Sequence, residues 1–423
     1  MRLIDAARLE LCSFMDDSHI PPYAILSHTW GPDEVTLQQF TDLPLRDGHH
    51  LKDSHGHWKI IKACQQALQD GIRYVWVDTC CIDKTSSAEL SEAINSMFRW
   101  YEKADVCYAY LDDVNVFSEA EINDSTSNDR FSKDELAKSR WFTRGWTLQE
   151  LIAPEEIVFY GKHWRRIDEK ASMCAALERM TGISVNVLAG TDRVEDQSIA
   201  KRMSWMAGRT TTRTEDMAYS LMGIFDVNMP LLYGEGNKAF VRLQEEIMKD
   251  SADHSLFAWN EPLPNIFVWP SPIFANHPKH FRASSGIVNR RFDDKDRLEE
   301  EFSSTNRGIK IKLRIRRPIT DSSHALTLMD DHFLAVLDCC FEDPKFENCW
   351  PSITVRRLTG SKSQYMRVPS HPIVPVVFGQ VSDAQKLFGV VSVGEIDSGE
   401  WNYLRKKIPG WAFESAFLIK RQS

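Results

Sequence analysis

The 423 residues combine 43% hydrophobic with 26% charged side chains, a balance that excludes a disordered or fibrous chain and suffices for two or three hydrophobic cores. Sixty acidic against 51 basic residues give a formal net charge of −9, which argues against bulk electrostatic capture of nucleic acid or anionic lipid. Asp5 and Glu10 interrupt the opening segment where a secretory signal needs an unbroken apolar core, and no window approaches the ~18 apolar residues of a membrane span, so a cytoplasmic protein is expected. Nine cysteines, several inside apolar runs and none in a C-x-x-C pair, read as reduced core thiols, with no metal site implied.

Short apolar runs alternate with helical patterns over the first 165 residues, the pattern of an α/β unit with a mainly parallel sheet. Tyr23 to Ser27 reads as a first strand ending in the turn-like His28-Thr-Trp-Gly-Pro32. A helix from Lys59 to Leu68 closes at Asp70-Gly71, and Tyr74 to Asp78 follows as a second strand. In the next helix, Ser91 to Tyr101, residues Ile94, Met97, Phe98 and Tyr101 fall on one apolar stripe. Asp105 to Leu111 reads as a third strand, Asn115 to Glu135 as a polar surface insertion, and Glu156 to Tyr160 as a fourth strand after a short helix ended by Pro154. Residues 166–254 turn helical, with Ala218, Leu221, Met222 and Phe225 on one stripe and Phe240, Leu243 and Ile247 on another. From 255 to 423 short alternating runs such as Ile309 to Ile315 point to a separate β-rich module, a small sandwich or barrel.

Chemistry-bearing residues gather at the expected strand ends. Glu150 sits on a helical turn with Trp146 four residues earlier, and an aromatic plane beside a carboxylate can hold a flat cationic ring. Ser27, His28 and Trp30 lie just past the first strand, Asp78 and Asp83 at and past the second, and parallel sheets bind ligands outside the carboxyl ends of their strands. Each of these has a plain structural reading: a cap for Asp78, a loop histidine for His28, core packing for Trp30. A Ser27, His28, Asp78 hydrolase triad is disfavoured by the absence of a G-x-S-x-G elbow. Cys80-Cys81 reads as packed thiols, and His49, His50, His55 and His57 read as exposed loop residues without metal-ligand spacing. Gly234 to Lys238 lacks the spacing of a phosphate loop, and the basic strand around Lys310 to Arg317 reads as one wet and one buried face.

Three segments together resemble the fungal heterokaryon-incompatibility (HET) domain: Tyr23-Ala-Ile-Leu-Ser-His-Thr-Trp-Gly31, Val75-Trp-Val-Asp-Thr-Cys-Cys-Ile-Asp-Lys84 and Arg144-Gly-Trp-Thr-Leu-Gln-Glu-Leu151. Thr214 to Phe225, Met229 to Gly236 and Phe257-Ala-Trp259 look like segments that follow that domain. The resemblance implies a toxic effector of non-self recognition and programmed cell death. The same layout is similar to a Toll/interleukin-receptor (TIR) domain, whose flavodoxin-like members include enzymes that cleave NAD, and Trp146 to Leu151 looks like the TIR segment carrying the catalytic glutamate. Thr147 stands where that segment has cysteine.

The resemblance thus implies an NAD glycohydrolase with Glu150 catalytic and Ser27, His28, Trp30, Asp78, Asp83 and Trp146 binding substrate. NAD would be its substrate, with no resident cofactor. Residues 1–165 would form a TIR-like α/β domain, followed by a helical subdomain at 166–254 and the β-rich module at 255–423. Expected partners are other incompatibility proteins or further copies of the chain, with no nucleic acid. A non-enzymatic death adaptor, using Glu150 only for an interfacial contact, is the rival expectation.

Overall fold

The computed structural model describes residues 1–15, 17–42, 54–117, 131–260, 273–289, 303–305, 308–316, 332–344, 349–358, 360, 364–368, 374–377 and 413–418. They divide into two compact units, one of residues 1–194 with 209–233 and the other of 195–208 with 234–423.

The first unit is α/β. Its strands are β1 (Arg2–Asp5), β2 (Glu10–Ser13), β3 (Tyr23–His28), β4 (Tyr74–Trp76), β5 (Val106–Tyr110), β6 (Ile157–Gly161) and β7 (Arg165–Glu169), in the order β2-β1-β4-β3-β5-β6-β7. The four central strands β4, β3, β5 and β6 run parallel, whereas β1 joins β4, β2 joins β1, and β7 joins β6 antiparallel. The sheet is therefore mixed. Its parallel part is the one legible as apolar runs, because strands covered on both faces need continuous hydrophobicity. All six residues of β3 are buried.

Helices α1 (Leu37–Asp42), α2 (His55–Gln69), α3 (Asp78–Cys81) and α4 (Ser87–Glu102) connect these strands. Ser54 caps α2 by accepting from His57 N at 3.2 Å, and Gly71, at φ 79°, reverses the chain beyond its end. The apolar stripe of α4 buries Ile94, Met97, Trp100 and Tyr101, with Trp100 and Tyr101 edge-on to Trp76 at 5.7 and 5.9 Å. On the opposite face of the sheet Trp164, held at φ 60°, stacks between Tyr110 (5.4 Å) and Tyr160 (4.9 Å), contacts that offset a left-handed backbone unusual for a bulky residue.

Several expectations are corrected. Tyr23 opens the third strand, since β1 and β2 precede it, and Asp78 begins α3 instead of ending β4. His55 and His57 lie in α2, where His57 is buried, while His49 and His50 fall outside the described residues. The insertion after Asn115 contains α5 (Lys133–Lys138), which Ser132 caps; residues 118–130 lie outside the described residues. Ala218 to Phe225 is a four-residue helical turn, Asp216–Tyr219, followed by the 3-10 turn Gly223–Phe225. Gly223 leaves no room for a side chain there, because a Cβ would lie 2.1 Å from Phe98 Cβ.

The second unit holds helices Ile199–Met206 and Lys238–Asp250 and a β-rich part. Strand Gly308–Arg316 pairs with His332–Val336 and Phe413–Leu418, the last pairs with Gln364–Arg367, and Cys349–Arg357 joins Gln364–Arg367 to His332–Val336. Among the described residues these five strands close a ring, with Ser303–Thr305 and Val374–Val377 pairing onto it from outside. Among the described residues no helix is long and apolar enough to cross a membrane.

Candidate functional site

Ser27 and His28 end β3 and, as consecutive strand residues, project to opposite faces of the sheet. The central strand order reverses direction between β4-β3 and β5-β6, so this end of β3 is a topological switch point, where open α/β sheets form ligand crevices.

On the Ser27 face stand α6 (Arg140–Thr143) and α7 (Thr147–Ile152). Every residue of α7 is buried, so its single carboxylate, Glu150, is taken into the core, 7% exposed. The Ser27 hydroxyl donates to Glu150 Oε2, and Trp141 Nε1 donates to Ser27 Oγ at 2.7 Å. Tyr101, whose hydroxyl donates to Leu26 O at 3.3 Å, also meets the carboxyl. Burial pushes the Glu150 pKa up to about 8; the Ser27 hydroxyl opposes that rise, the charge of Asp78 adds to it, and Arg144 and Tyr101 oppose it. Glu150 is thus a neutral acid over most of the physiological range, poised to ionise near its upper end.

On the other face His28, also buried, meets an ionic network. Its Nε2 lies 3.4 Å from Glu34 Oε2 and 4.0 Å from Asp78 Oδ1, ion-pair distances at which neither ring nitrogen makes a well-aligned hydrogen bond among the described residues. Glu34 accepts from the fully buried Lys59 Nζ and from Gly31 N at 2.6 Å. Burial alone would raise the Glu34 pKa, yet His28, Lys59 and the Gly31 amide hold it down at about 2. Asp78 Oδ2 accepts from Trp30 Nε1 at 2.8 Å, and Lys84 Nζ sits over the Trp30 ring, 3.6 Å from its centroid. Trp30 is 46% exposed, so its ring is held in place from one edge while remaining open to solvent.

The structure brings Ser27 and Glu150 into one hydrogen-bonded cluster, and His28, Trp30 and Asp78 into a second that touches the first through the charge of Asp78. Asp83 and Trp146 are placed elsewhere. Asp83 accepts from Gln38 Nε2 at 3.0 Å and from Thr85 N and Oγ1 at 2.9 and 2.6 Å, which makes it a turn residue ahead of α4. Trp146 precedes α7 and hydrogen-bonds Asp216, whose pKa burial raises against Trp146 and Tyr233.

Glu34, Lys59, Tyr101 and Trp141 are absent from the sequence-based set. Lys59 carried a usable signal, since it occupies the buried stripe of α2 with Ala63 and Ala67 at i+4 and i+8. Trp141 and Glu34 carried none, because their roles depend on contacts across the fold.

Residues 23–130 match the family model described as heterokaryon incompatibility protein (HET), and residues 238–272 match a domain of unknown function, DUF8212. The matched residues carry strands β3, β4 and β5 and the Ser27, His28, Trp30 and Asp78 cluster, so this part of the α/β unit is similar to a HET domain. The vegetative incompatibility protein HET-E-1 of Podospora anserina is 48% identical over 254 residues, which are 59% of this chain and 18% of that protein, so the chain spans under a fifth of its relative's length. No solved structure matches the chain.

Proposed function

We propose that this protein acts in the cytoplasm as an effector of fungal heterokaryon incompatibility and that its HET domain, within residues 1–165, cleaves the nicotinamide-ribose bond of NAD. The observation that carries this reading is the buried Ser27–Glu150 pair at the switch point of the parallel sheet. Counted from β3, the parallel strands run 2-1-3-4, which supports a flavodoxin-like, TIR-like core. The 48% identity to a vegetative incompatibility protein supports the biological setting.

In this reading NAD and water give ADP-ribose, nicotinamide and a proton. The pyridinium ring stacks on Trp30, taking the ring face that Lys84 covers at 3.6 Å. Its positive charge and the ribosyl cation that develops as the C–N bond breaks favour the ionised form of Glu150, so binding and bond cleavage draw the proton off the carboxyl. Asp78 fixes the Trp30 indole and His28 offers Nδ1 to a ribose hydroxyl. Trp146 and Asp83 serve at one remove, through the seating of α7 and the turn before α4. Self-association or another incompatibility protein completes the active form. Glu150, 7% exposed, is poorly placed for the surface contact that a pure adaptor would need.

Expression in fungal cells tests the reading. Wild type should deplete total NAD before viability falls, and Glu150→Gln at equal protein level should spare both. Killing with NAD intact would contradict it.

A further inference from the structure

We propose that Arg209 is a positioning residue for Glu150: its buried guanidinium anchors the first turn of the glutamate's helix and supplies the positive charge against which the carboxyl ionises. This rests on Glu150 being the reacting acid.

Arg209 is 5% exposed. The segment that carries it is clamped to the entry of α7, with Thr210 N donating to Thr143 O at 2.7 Å and Gly145 N donating to Thr210 O at 2.8 Å. Arg209 Nη1 donates to Arg144 O at 2.8 Å and to Thr147 Oγ1 at 2.9 Å. The Thr147 hydroxyl lies against Trp141 O and Arg144 O, and Trp141 Nε1 reaches Ser27, which reaches Glu150. Hydrogen bonds on either side of Trp141, at its carbonyl and at its indole, therefore link the guanidinium to the carboxyl through the frame of that residue.

Two further observations separate this from ordinary helix anchoring. Arg209 Nη2 is buried without a hydrogen-bond partner among the described residues, a costly state for a charged donor. Thr147 and Glu150 are i, i+3 neighbours, so a guanidinium bonded to one lies within a turn of the other. Burial brings the Arg209 pKa down to about 10, Glu150 is the acid that pulls it back up, and Arg209 stays charged at neutral pH. The groups facing Glu150 are then Ser27 from β3, Cys107 from β5, Tyr101 from α4, Asp78 from α3, Arg144 ahead of α7, and Arg209. Nη2 is the donor that the proposal assigns to the anionic carboxylate.

The test reads the carboxyl itself and needs no turnover. The protonated C=O stretch of Glu150, isolated as the infrared difference between each protein and its Glu150→Gln counterpart, is titrated in the full chain for wild type, Arg209→Lys, Arg209→Met and Thr147→Val. Arg209→Met should move the midpoint up by about one pH unit or more. Arg209→Lys should keep the wild-type midpoint, and Thr147→Val should keep it while lowering the melting temperature. A folded Arg209→Met with an unmoved midpoint overturns the proposal. If Arg209→Met does not fold, a midpoint in Arg209→Lys displaced upward as far as one unit overturns it instead. Absence of NAD cleavage with these midpoints as expected would sink the enzymatic reading alone.

Discussion

The Ser27 hydroxyl donates to the Glu150 carboxyl across 123 residues of sequence, joining the end of the central strand β3 to the short helix α7. The same oxygen accepts from Trp141 Nε1 at 2.7 Å, so Ser27 satisfies two buried groups at once.

Ser27→Ala should therefore destabilise the domain by roughly 1–3 kcal/mol, because it strands the Trp141 indole N–H in the core. Trp141→Phe in the Ser27→Ala background removes the stranded donor and should add less than it does alone. Denaturant unfolding of the four-member cycle measures the coupling, and additive losses would speak against the shared contact.

Glu150 ties stability to pH in the opposite sense from most carboxylates. Its folded pKa of about 8 lies above the ordinary 4.5, so between those values the unfolded chain releases a proton that the folded chain keeps. Stability then falls as pH rises from 4.5 toward 8 and levels off beyond. Glu150→Gln should match wild type below pH 4.5 and exceed it at pH 8 by an amount on the order of a few kcal/mol. Melting temperatures of both proteins across this range check the sign, and NAD turnover per unit of free enzyme should rise through the same window.

Lys59 is fully buried and its charge is met by Glu34. Lys59→Met removes the buried cation from that carboxylate, leaving it His28 and the Gly31 amide, and should cost about 3 kcal/mol, part of which Glu34→Gln recovers. Glu34, at about 2 against an ordinary 4.5, contributes stability that is present above pH 4.5 and is lost as pH falls toward 2. Acid unfolding of Glu34→Gln should show a shallower slope across that window.

Trp30 offers a half-open ring to a cation and Lys84 already covers it. Trp30→Ala should weaken binding of oxidised NAD by roughly tenfold while changing binding of the reduced form, whose nicotinamide ring is uncharged, less, because a cation–π contact on a half-exposed ring contributes about 1–2 kcal/mol. Calorimetric titration of both forms into the Glu150→Gln protein, which does not consume ligand, makes the comparison. Equal losses would remove the cation preference.

The parallel strands were legible because doubly covered strands leave unbroken apolar runs, as in Tyr23 to Leu26, and α4 because its stripe repeats at helical spacing. The antiparallel edges were not: β1 and β2 are four residues each and one of them, Glu10–Ser13, has no fully buried position. Ala218 to Phe225 kept helical spacing but yields to short turns, because tertiary packing around Gly223 overrides the local pattern. At the site, residues adjacent to strand ends were within reach of sequence, and Ser27, His28, Trp30 and Asp78 do gather there. Trp146 was placed by helical spacing, yet it lies before α7 and turns to Asp216. Trp141, Glu34 and Arg209 come from distant segments with no local pattern to announce them.

Nicotinamide release from NAD by the purified, artificially clustered protein, followed chromatographically for wild type and Glu150→Gln, bears most directly on the role of the buried glutamate. Release by wild type that disappears in the folded variant is the expected result. Equal release by both, or none from well-folded clustered wild type, would contradict Glu150 as the group that cleaves the glycosidic bond.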